Sequence, residues 1–353
     1  MRLRRRLAAW AAKITEKICV YIFHRQGATW AGRIALGICP SILKELAGQV
    51  RKGVFVVCGT NGKTTVNNLL CAALEEEGYR VVCNHTGSNM LNGVAAAFAL
   101  GTKLNGDLDA DYACIEIDEV STKEVFRYFK PDYMVLTNLF RDQLDRYGEI
   151  DATIDILAKV VQSAPKMKLV LNGDDPLSAF LGMDSGNDFA AYGISERVIE
   201  GDETKEIREG RFCRHCGARL SYRFYHYGQL GDYACSECGF QRPKIEFEGQ
   251  NIELGEEIAF SVGGRYFRSA HKGFYNVYNI LAAYAALRTA GIKAEGFQQA
   301  LAGFRPENGR MEEFRLRDKR ILLNLAKNPT GFNQNINVIM QDASPKELVV
   351  VIN

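Results

Sequence analysis

The stretch Val54-Phe55-Val56-Val57-Cys58-Gly59-Thr60-Asn61-Gly62-Lys63-Thr64-Thr65 passes from five apolar residues into a glycine-rich turn, and Val66 to Glu77 continues it with a helical pattern. An unbroken apolar pentad reads as a strand buried on both faces, the habit of parallel sheets. Strand, glycine-rich turn and helix, in that order, set backbone N–H groups at a helix N-terminus, where phosphate oxygens are held. Gly59, Thr60, Asn61, Gly62, Lys63, Thr64 and Thr65 are therefore the expected ATP-binding residues. Lys63 adds a point positive charge, and the Thr64 hydroxyl is of the kind that binds Mg²⁺. The longer form of this loop would carry a glycine where this chain has Val57.

Outward from the loop, strands are expected at Arg80–Cys83, Tyr112–Ile117, Tyr133–Leu136 and Lys168–Leu171. Helices are expected between them at Gly93–Ala99, Thr122–Phe129 and Ala152–Gln162. This alternation predicts an α/β fold with a doubly wound parallel sheet. Ligands of such sheets bind outside the carboxyl ends of the strands, which makes Glu116, in Cys114-Ile115-Glu116-Ile117, the candidate Mg²⁺ carboxylate beside the loop. Thr137-Asn138-Leu139-Phe140-Arg141-Asp142-Gln143-Leu144-Asp145 occupies the next strand end.

The chain of 353 residues has a net charge of +2, which hides an asymmetry: residues 1–52 hold eleven Lys or Arg against two acids, about +9, and the remainder is about −7. Arg2, Arg4, Arg5, Arg6, Lys13 and Lys17 accompany Leu3, Leu7, Trp10, Ile14, Ile18 and Ile22, spaced mostly at three or four, which predicts a basic amphipathic helix over residues 2–23. Two uses fit such a helix: packing on its own domain, or peripheral contact with an anionic membrane. A spanning helix is not expected, because Lys13, Glu16 and Lys17 interrupt the most apolar stretch.

Ten cysteines are present. Cys213-x2-Cys216 and Cys235-x2-Cys238 are separated by eighteen residues, the spacing of two knuckles holding a structural Zn²⁺. The other six are scattered, which suits a reducing, cytoplasmic setting. Arg214, Arg219, Tyr222, Arg223, Tyr225 and Tyr227 interleave charge and ring in a pattern that also suits nucleic acid. The acidic remainder argues against that partner, so no nucleic acid is expected. After an apolar helix at Asn276–Ala290, a strand (Arg320–Leu325), a helix (Gly331–Gln341) and a strand (Leu348–Ile352) are expected to open a smaller α/β domain, truncated at Asn353.

These segments resemble the Mur ligase superfamily, and within it the MurT-like family with its inserted four-cysteine zinc ribbon. GTNGKTT at 59–65 resembles the ATP loop, and Glu116 in IEIDE the Mg²⁺ carboxylate. TNLFRDQLDRYGE at 137–149 and NGDDP at 172–176 resemble two further signature segments. Asn276 in YNVYNILAA resembles the asparagine by the adenine, and Arg310 in NGRME the hinge arginine that reaches the nucleotide.

The resemblance implies a basic N-terminal segment (1–50), a central ATP-binding domain (51–305) with the zinc ribbon (205–245) inside it, and the start of a Rossmann-like C-terminal domain (306–353). It implies ATP-dependent amidation of the D-glutamate α-carboxyl of lipid II, through an acyl phosphate, with ammonia from a GatD-like glutaminase. The alternative is an amino-acid-adding ligase of the Mur or folylpolyglutamate type. It also implies a catalytic aspartate beyond Asn353, so no catalytic residue is assigned. Gln143 stands where many relatives have a metal-binding histidine, Lys159 falls near a lysine that some carbamylate, and His85, Ser88 and Asn89 are candidates for muropeptide contact.

Overall fold

The computed structural model describes residues 2–142, 150–198, 209–255, 257–305, 309–317, 319–341 and 346–351. Three helices come first, α1 (Arg2–Tyr21), α2 (Ala28–Ile38) and α3 (Ile42–Ala47). An alternating series follows: β1 (Gly53–Cys58), α4 (Lys63–Glu76), β2 (Val81–Cys83), α5 (Leu91–Leu100), β3 (Tyr112–Glu116), α6 (Thr122–Val125), β4 (Tyr133–Leu136), α7 (Ile150–Gln162), β5 (Lys168–Asn172), α8 (Pro176–Ser185) and β6 (Phe189–Ile194). The hairpin β7 (Ser221–Tyr227) and β8 (Leu230–Ala234) precedes β9 (Phe247–Leu254), β10 (Ile258–Val262) and β11 (Arg265–Ser269). The chain continues through α9 (Tyr275–Thr289), α10 (Phe297–Gly303), β12 (Arg310–Leu316), β13 (Lys319–Asn324) and α11 (Pro329–Gln341).

Nine strands form one sheet in the order β11-β10-β9-β6-β5-β4-β1-β3-β2. Pairing is parallel from β2 to β9, and antiparallel only at β9-β10-β11. Strand β1 is buried along its whole length and lies between β3 and β4, with Val57 level with Glu116 and Cys58 with Leu136. The order reverses there, so the loop after β1 opens into the crevice where α/β sheets bind ligands. One face of the sheet is covered from α2, α3, α5 and α7 and the other by α4, α9 and α10, giving two apolar cores.

The cysteine module lies in the chain between β6 and β9, yet these two strands pair directly, Tyr192 with Phe247. The insert therefore interrupts the sequence and not the sheet. It has its own small core around Leu220, Tyr233 and Phe240.

Two local expectations are corrected and a third gains a partner. The helix predicted over 122–129 ends at Val125. Residues 346–351 carry no strand: Leu348, Val349, Val350 and Val351 are exposed, with no β-ladder partner among the described residues. An apolar run is a strand only where a neighbouring strand takes its hydrogen bonds. The expected strand at 320–325 is one arm of an antiparallel hairpin, β12 with β13.

Helix α1 forms as predicted, and of its two sides it is not the large apolar stripe that packs on the domain. Ala8, Ala9, Ala12 and Arg5 are its buried side, against α2 and α5. At about 100° per residue, Leu3, Leu7, Trp10, Ile14 and Tyr21 fall within an arc of about 60° on the opposite side. All five are exposed, Leu3 by 70%. Arg5 anchors the helix through its pairs with Glu45 and Asp107.

Candidate nucleotide site and cysteine module

The loop between β1 and α4 is held by glycines that no other residue could replace. Gly59 has φ +122° and Gly62 φ +85°. A Cβ on Gly59 would meet Thr137 Oγ1 at 2.3 Å, and one on Gly62 would meet Asn279 Oδ1 at 2.1 Å. The end of β4 braces the turn. Thr60 N–H donates to Asn138 O (2.7 Å), Asn61 N–H to Asn138 Oδ1 (2.9 Å), and Phe140 N–H to Thr60 Oγ1 (2.9 Å).

Lys63 opens α4, with its ammonium folded under the loop. It donates to Gly59 O (2.5 Å), Thr60 O (3.3 Å) and Glu119 Oε1 (3.1 Å). Burial alone would push the Lys63 pKa down, but Glu119 and Glu116 outweigh it and the lysine is held above its ordinary value, firmly cationic. Burial raises the Glu119 carboxyl, with Lys63 opposing. Thr64 donates to Glu116 Oε2 at 2.5 Å, and Asn89 Nδ2 to Glu116 Oε1 at 2.9 Å. Asn84 clasps the backbone of Glu116 from both sides, at 2.8 Å each. Thr64 and Glu116 thus stand together at the carboxyl edge, two oxygen donors of the kind Mg²⁺ takes.

The cavity over the loop has a second wall from the far end of the chain. Asn276 and Asn279 on α9 line it, as do His271, Met311, Leu325 and Lys327. Asn279 Nδ2 donates to Asn276 Oδ1 (2.9 Å), and Asn276 Nδ2 to Lys272 O (2.7 Å). Asn328 and Asn61 exchange two side-chain hydrogen bonds, of 3.0 and 3.3 Å. Asn328 also accepts from Gly331 N–H at 2.8 Å, capping α11, with Pro329 at its first position. Of the predicted nucleotide contacts, Thr60, Asn61, Gly62, Lys63, Thr65 and Asn276 line this cavity, while Gly59 and Thr64 do not. Arg310 begins β12, but its side chain lies outside the described residues, as does Gln143.

Lys159 is exposed on α7 and is not part of the cavity wall. Asn89 is a Glu116 partner, and Ser88 offers its backbone oxygen to Asn84 (3.0 Å). Sequence reasoning missed Asn279, Asn138, Asn328 and Glu119. Asn279, Asn138 and Glu119 lie within segments it did single out, but only the register shows which polar residue meets the loop.

The two aspartates of NGDDP do not reach the cavity. Asp174 is fully buried and takes hydrogen bonds from Arg242 Nε (2.6 Å), Tyr278 Oη (2.7 Å) and Ile194 N–H (2.8 Å). Asp175 caps α8 and braces Leu139 N–H at 2.8 Å. They are girders between the sheet, α9 and the exit of the insert.

In the cysteine module, Cys213, Cys216, Cys235 and Cys238 bring their four sulfurs within 4.8 Å of one another, with no disulfide among the described residues. Cys213 Sγ lies 3.4 Å from Cys238 Sγ, and Cys216 Sγ 3.5 Å from Cys235 Sγ. Backbone N–H groups, that of Cys238 first, lower the Cys235 thiol to about 7. Four converging thiols fit a closed tetrahedral Zn²⁺ site, which would supply cross-linking and no reaction step.

His271 gives a pH test of the cavity wall. Burial, then Arg305, holds its pKa down at about 4. An unfolded histidine titrates near 6.5, so between the two values the unfolded chain binds more protons and stability falls as pH falls. At pH 5 this histidine should cost the wild type about 2 kcal/mol relative to pH 7, a loss that His271→Gln removes. Urea unfolding of both proteins at the two pH values checks it.

The Mur ligase middle domain family matches residues 57–287. The chain is 34% identical over 351 residues to lipid II isoglutaminyl synthase (glutamine-hydrolyzing) subunit MurT of Staphylococcus aureus (strain COL), covering 99% of this chain and 78% of the relative. It is 34% identical over 330 residues to the subunit of the same name from Streptococcus pneumoniae (strain ATCC BAA-255 / R6), covering 93% and 72%. Among solved structures it resembles a pseudomurein peptide ligase type C from Methanothermus fervidus, with TM-score 0.68 and 30% identity over 87% of this chain and 59% of that one. The MurF ligase of Thermotoga maritima in complex with ADP shares the fold, with TM-score 0.59 and 16% identity over 87% and 61%. The chain spans less than two thirds of these two solved structures.

Proposed function

Because the chain belongs to the Mur ligases, ATP-dependent ligases of peptidoglycan synthesis, and within them to the MurT group, we propose that it amidates the D-glutamate α-carboxyl of the lipid II stem peptide. The α-carboxylate oxygen attacks the γ-phosphorus of ATP, the bond to the bridging oxygen breaks, and ADP leaves. Ammonia from a GatD-like glutaminase then attacks the acyl carbon, phosphate leaves and a proton is lost, giving D-isoglutamine. The observation that carries this reading is the meeting of Lys63 and Glu116 in one cavity, with Thr64 hydrogen-bonded to Glu116 beside it.

Transferring phosphoryl groups need positioning and charge more than covalent help. The loop amides and Lys63 orient and neutralise the phosphates, while Asn84 and Asn89 fix the Glu116 carboxylate. Thr64 and Glu116 would hold Mg²⁺, which supplies further charge neutralisation when bound. The domain limits at 51, 306 and the insert at 205–245 belong to the same proposal, as do Arg310 as a nucleotide contact and Zn²⁺ on the four ribbon thiols.

The test is to incubate the full-length protein, including whatever follows Asn353, with ATP and lipid II, supplying glutamine with a GatD-like glutaminase, ammonia alone, or an amino acid. Amidation lowers the product mass by about one unit. ATP turnover that depends on an amino acid, with no such mass change, would favour the amino-acid-adding reading.

A lipid-linked substrate also suits the N-terminal helix, and we propose that its exposed stripe docks on the cytoplasmic membrane face. None of the described helices is long and apolar enough to cross a membrane. Instead, Leu3, Leu7, Trp10, Ile14 and Tyr21 face outward, Arg6 lies over the Trp10 ring at 5.3 Å, and Trp30 of α2 is 58% exposed with Arg33 beside it. Apolar insertion flanked by cations is how amphipathic helices bind anionic bilayers. Leu7→Glu with Ile14→Glu leaves the alanine face untouched and should reduce co-sedimentation with anionic vesicles at least about tenfold, while added salt weakens the wild type. Unchanged sedimentation of the double variant would remove this proposal.

A further inference from the structure

We propose that Cys71, Cys83 and His85 form a second binding site for a thiophilic divalent cation, Zn²⁺ by donor chemistry, separate from the cysteine ribbon and from the oxygen donors beside the phosphate loop. The three come from a helix, a strand and the turn that follows the strand. Cys71 lies on α4 two turns beyond Lys63, Cys83 ends β2, and His85 follows two residues later. Their ligand atoms all lie within 4.8 Å of one another. Zn–S bonds of about 2.3 Å in a tetrahedron need sulfurs about 3.8 Å apart, so small side-chain adjustments close the set on one ion.

The surroundings fit a bound ion. Cys71 is buried, Cys83 half-buried and His85 exposed, so a cation here would have three protein ligands and a fourth position toward solvent. A cleft lined by Thr65, Asn68, Glu75 and His85 opens on that side. Asn67 Nδ2 donates to Cys83 Sγ at 3.1 Å, an outer hydrogen bond that steadies a metal-bound sulfur. Asn68 Nδ2 donates to the His85 carbonyl at 3.1 Å and holds the turn that carries the imidazole. Two sulfurs and an imidazole select zinc over magnesium, which takes oxygen donors. Uptake releases the two thiol protons to solvent.

The place gives the site a purpose. Strand β2 is only three residues long and lies at the edge of the sheet. The residues after it supply Asn84 and Asn89 to Glu116. A cation joining Cys83 and His85 to Cys71 fastens this edge to the helix that begins at the phosphate loop.

The experiment measures total zinc per chain at saturation, by elemental analysis of the full chain after Zn²⁺ addition and gel filtration, for the wild type, His85→Ala and Cys83→Ser. The wild type should bind one equivalent more than either variant. Competition with a chromogenic chelator should show the affinity for that equivalent falling more than about tenfold in His85→Ala. The urea midpoint of that variant with metal withheld checks that it is folded. Counting by difference makes the result independent of ribbon occupancy and of the ligase reading. Equal zinc in all three proteins overturns the proposal. So does a wild-type mass two hydrogens light without reductant and restored in Cys83→Ser, which would identify a Cys71–Cys83 disulfide.

Discussion

Lys63→Met is expected to lower ATP-dependent amidation by at least about 100-fold, the scale on which loss of one charge-stabilising donor acts. The ammonium sits under the loop, within reach of Gly59 O and Thr60 O. The substitution is not silent for stability. Lys63 and Glu119 are both buried and 3.1 Å apart, and removing one partner of a buried pair leaves a charge without compensation. Burial already raises the Glu119 carboxyl, and the variant loses the Lys63 charge that opposes this. Lys63→Met with Glu119→Gln should regain most of the wild-type urea midpoint and none of the turnover. Turnover of the single variant within tenfold of wild type would sink the assignment of Lys63 to the reacting phosphates.

Asp174→Ala carries the largest expected cost to folding, about 3–5 kcal/mol, because it strands a buried guanidinium. Asp174 is inaccessible to solvent, and Arg242, Tyr278 and the backbone of Ile194 all converge on it. It joins the exit of the insert to helix α9 and to strand β6. Urea unfolding measures the loss, and limited proteolysis should reveal cleavage within 209–245 before the sheet is attacked. Asp174→Ala with Arg242→Met removes both charges and should recover more than half of the lost stability. A single variant within about 1 kcal/mol of wild type would refute the girder role.

What was legible in the sequence follows the physics of each element. Parallel strands buried on both faces are continuous apolar runs, so β1, β3, β4 and β5 were read within a residue or two of their ends. The phosphate loop was legible because only glycine tolerates the backbone at positions 59 and 62. Helix α1 was seen, with its orientation left open between two uses: alanines, which carry little of the pattern, make the contact, and the large apolar stripe faces outward. The hairpin β12–β13 was half seen, since Arg310-Met311-Glu312-Glu313 lacks the apolar signal of a buried strand. Glu119 and Asn279 could not be singled out, because polar residues at strand ends and helix starts are common and only tertiary register selects among them. The family was legible from several short segments together, and the similarity along nearly the whole chain bears that reading out.

The paired hydrogen bonds between Asn61 and Asn328 span 267 residues of sequence. During synthesis at roughly 5–20 residues per second, the loop would wait on the order of tens of seconds before its partner exists. Asn138 arrives earlier and gives the loop its shape, but the cavity lacks its far wall until α11 has been made. A nascent chain should therefore hold the sheet well before it holds nucleotide, and tight ATP binding becomes a late reporter that both ends of the sequence have come together.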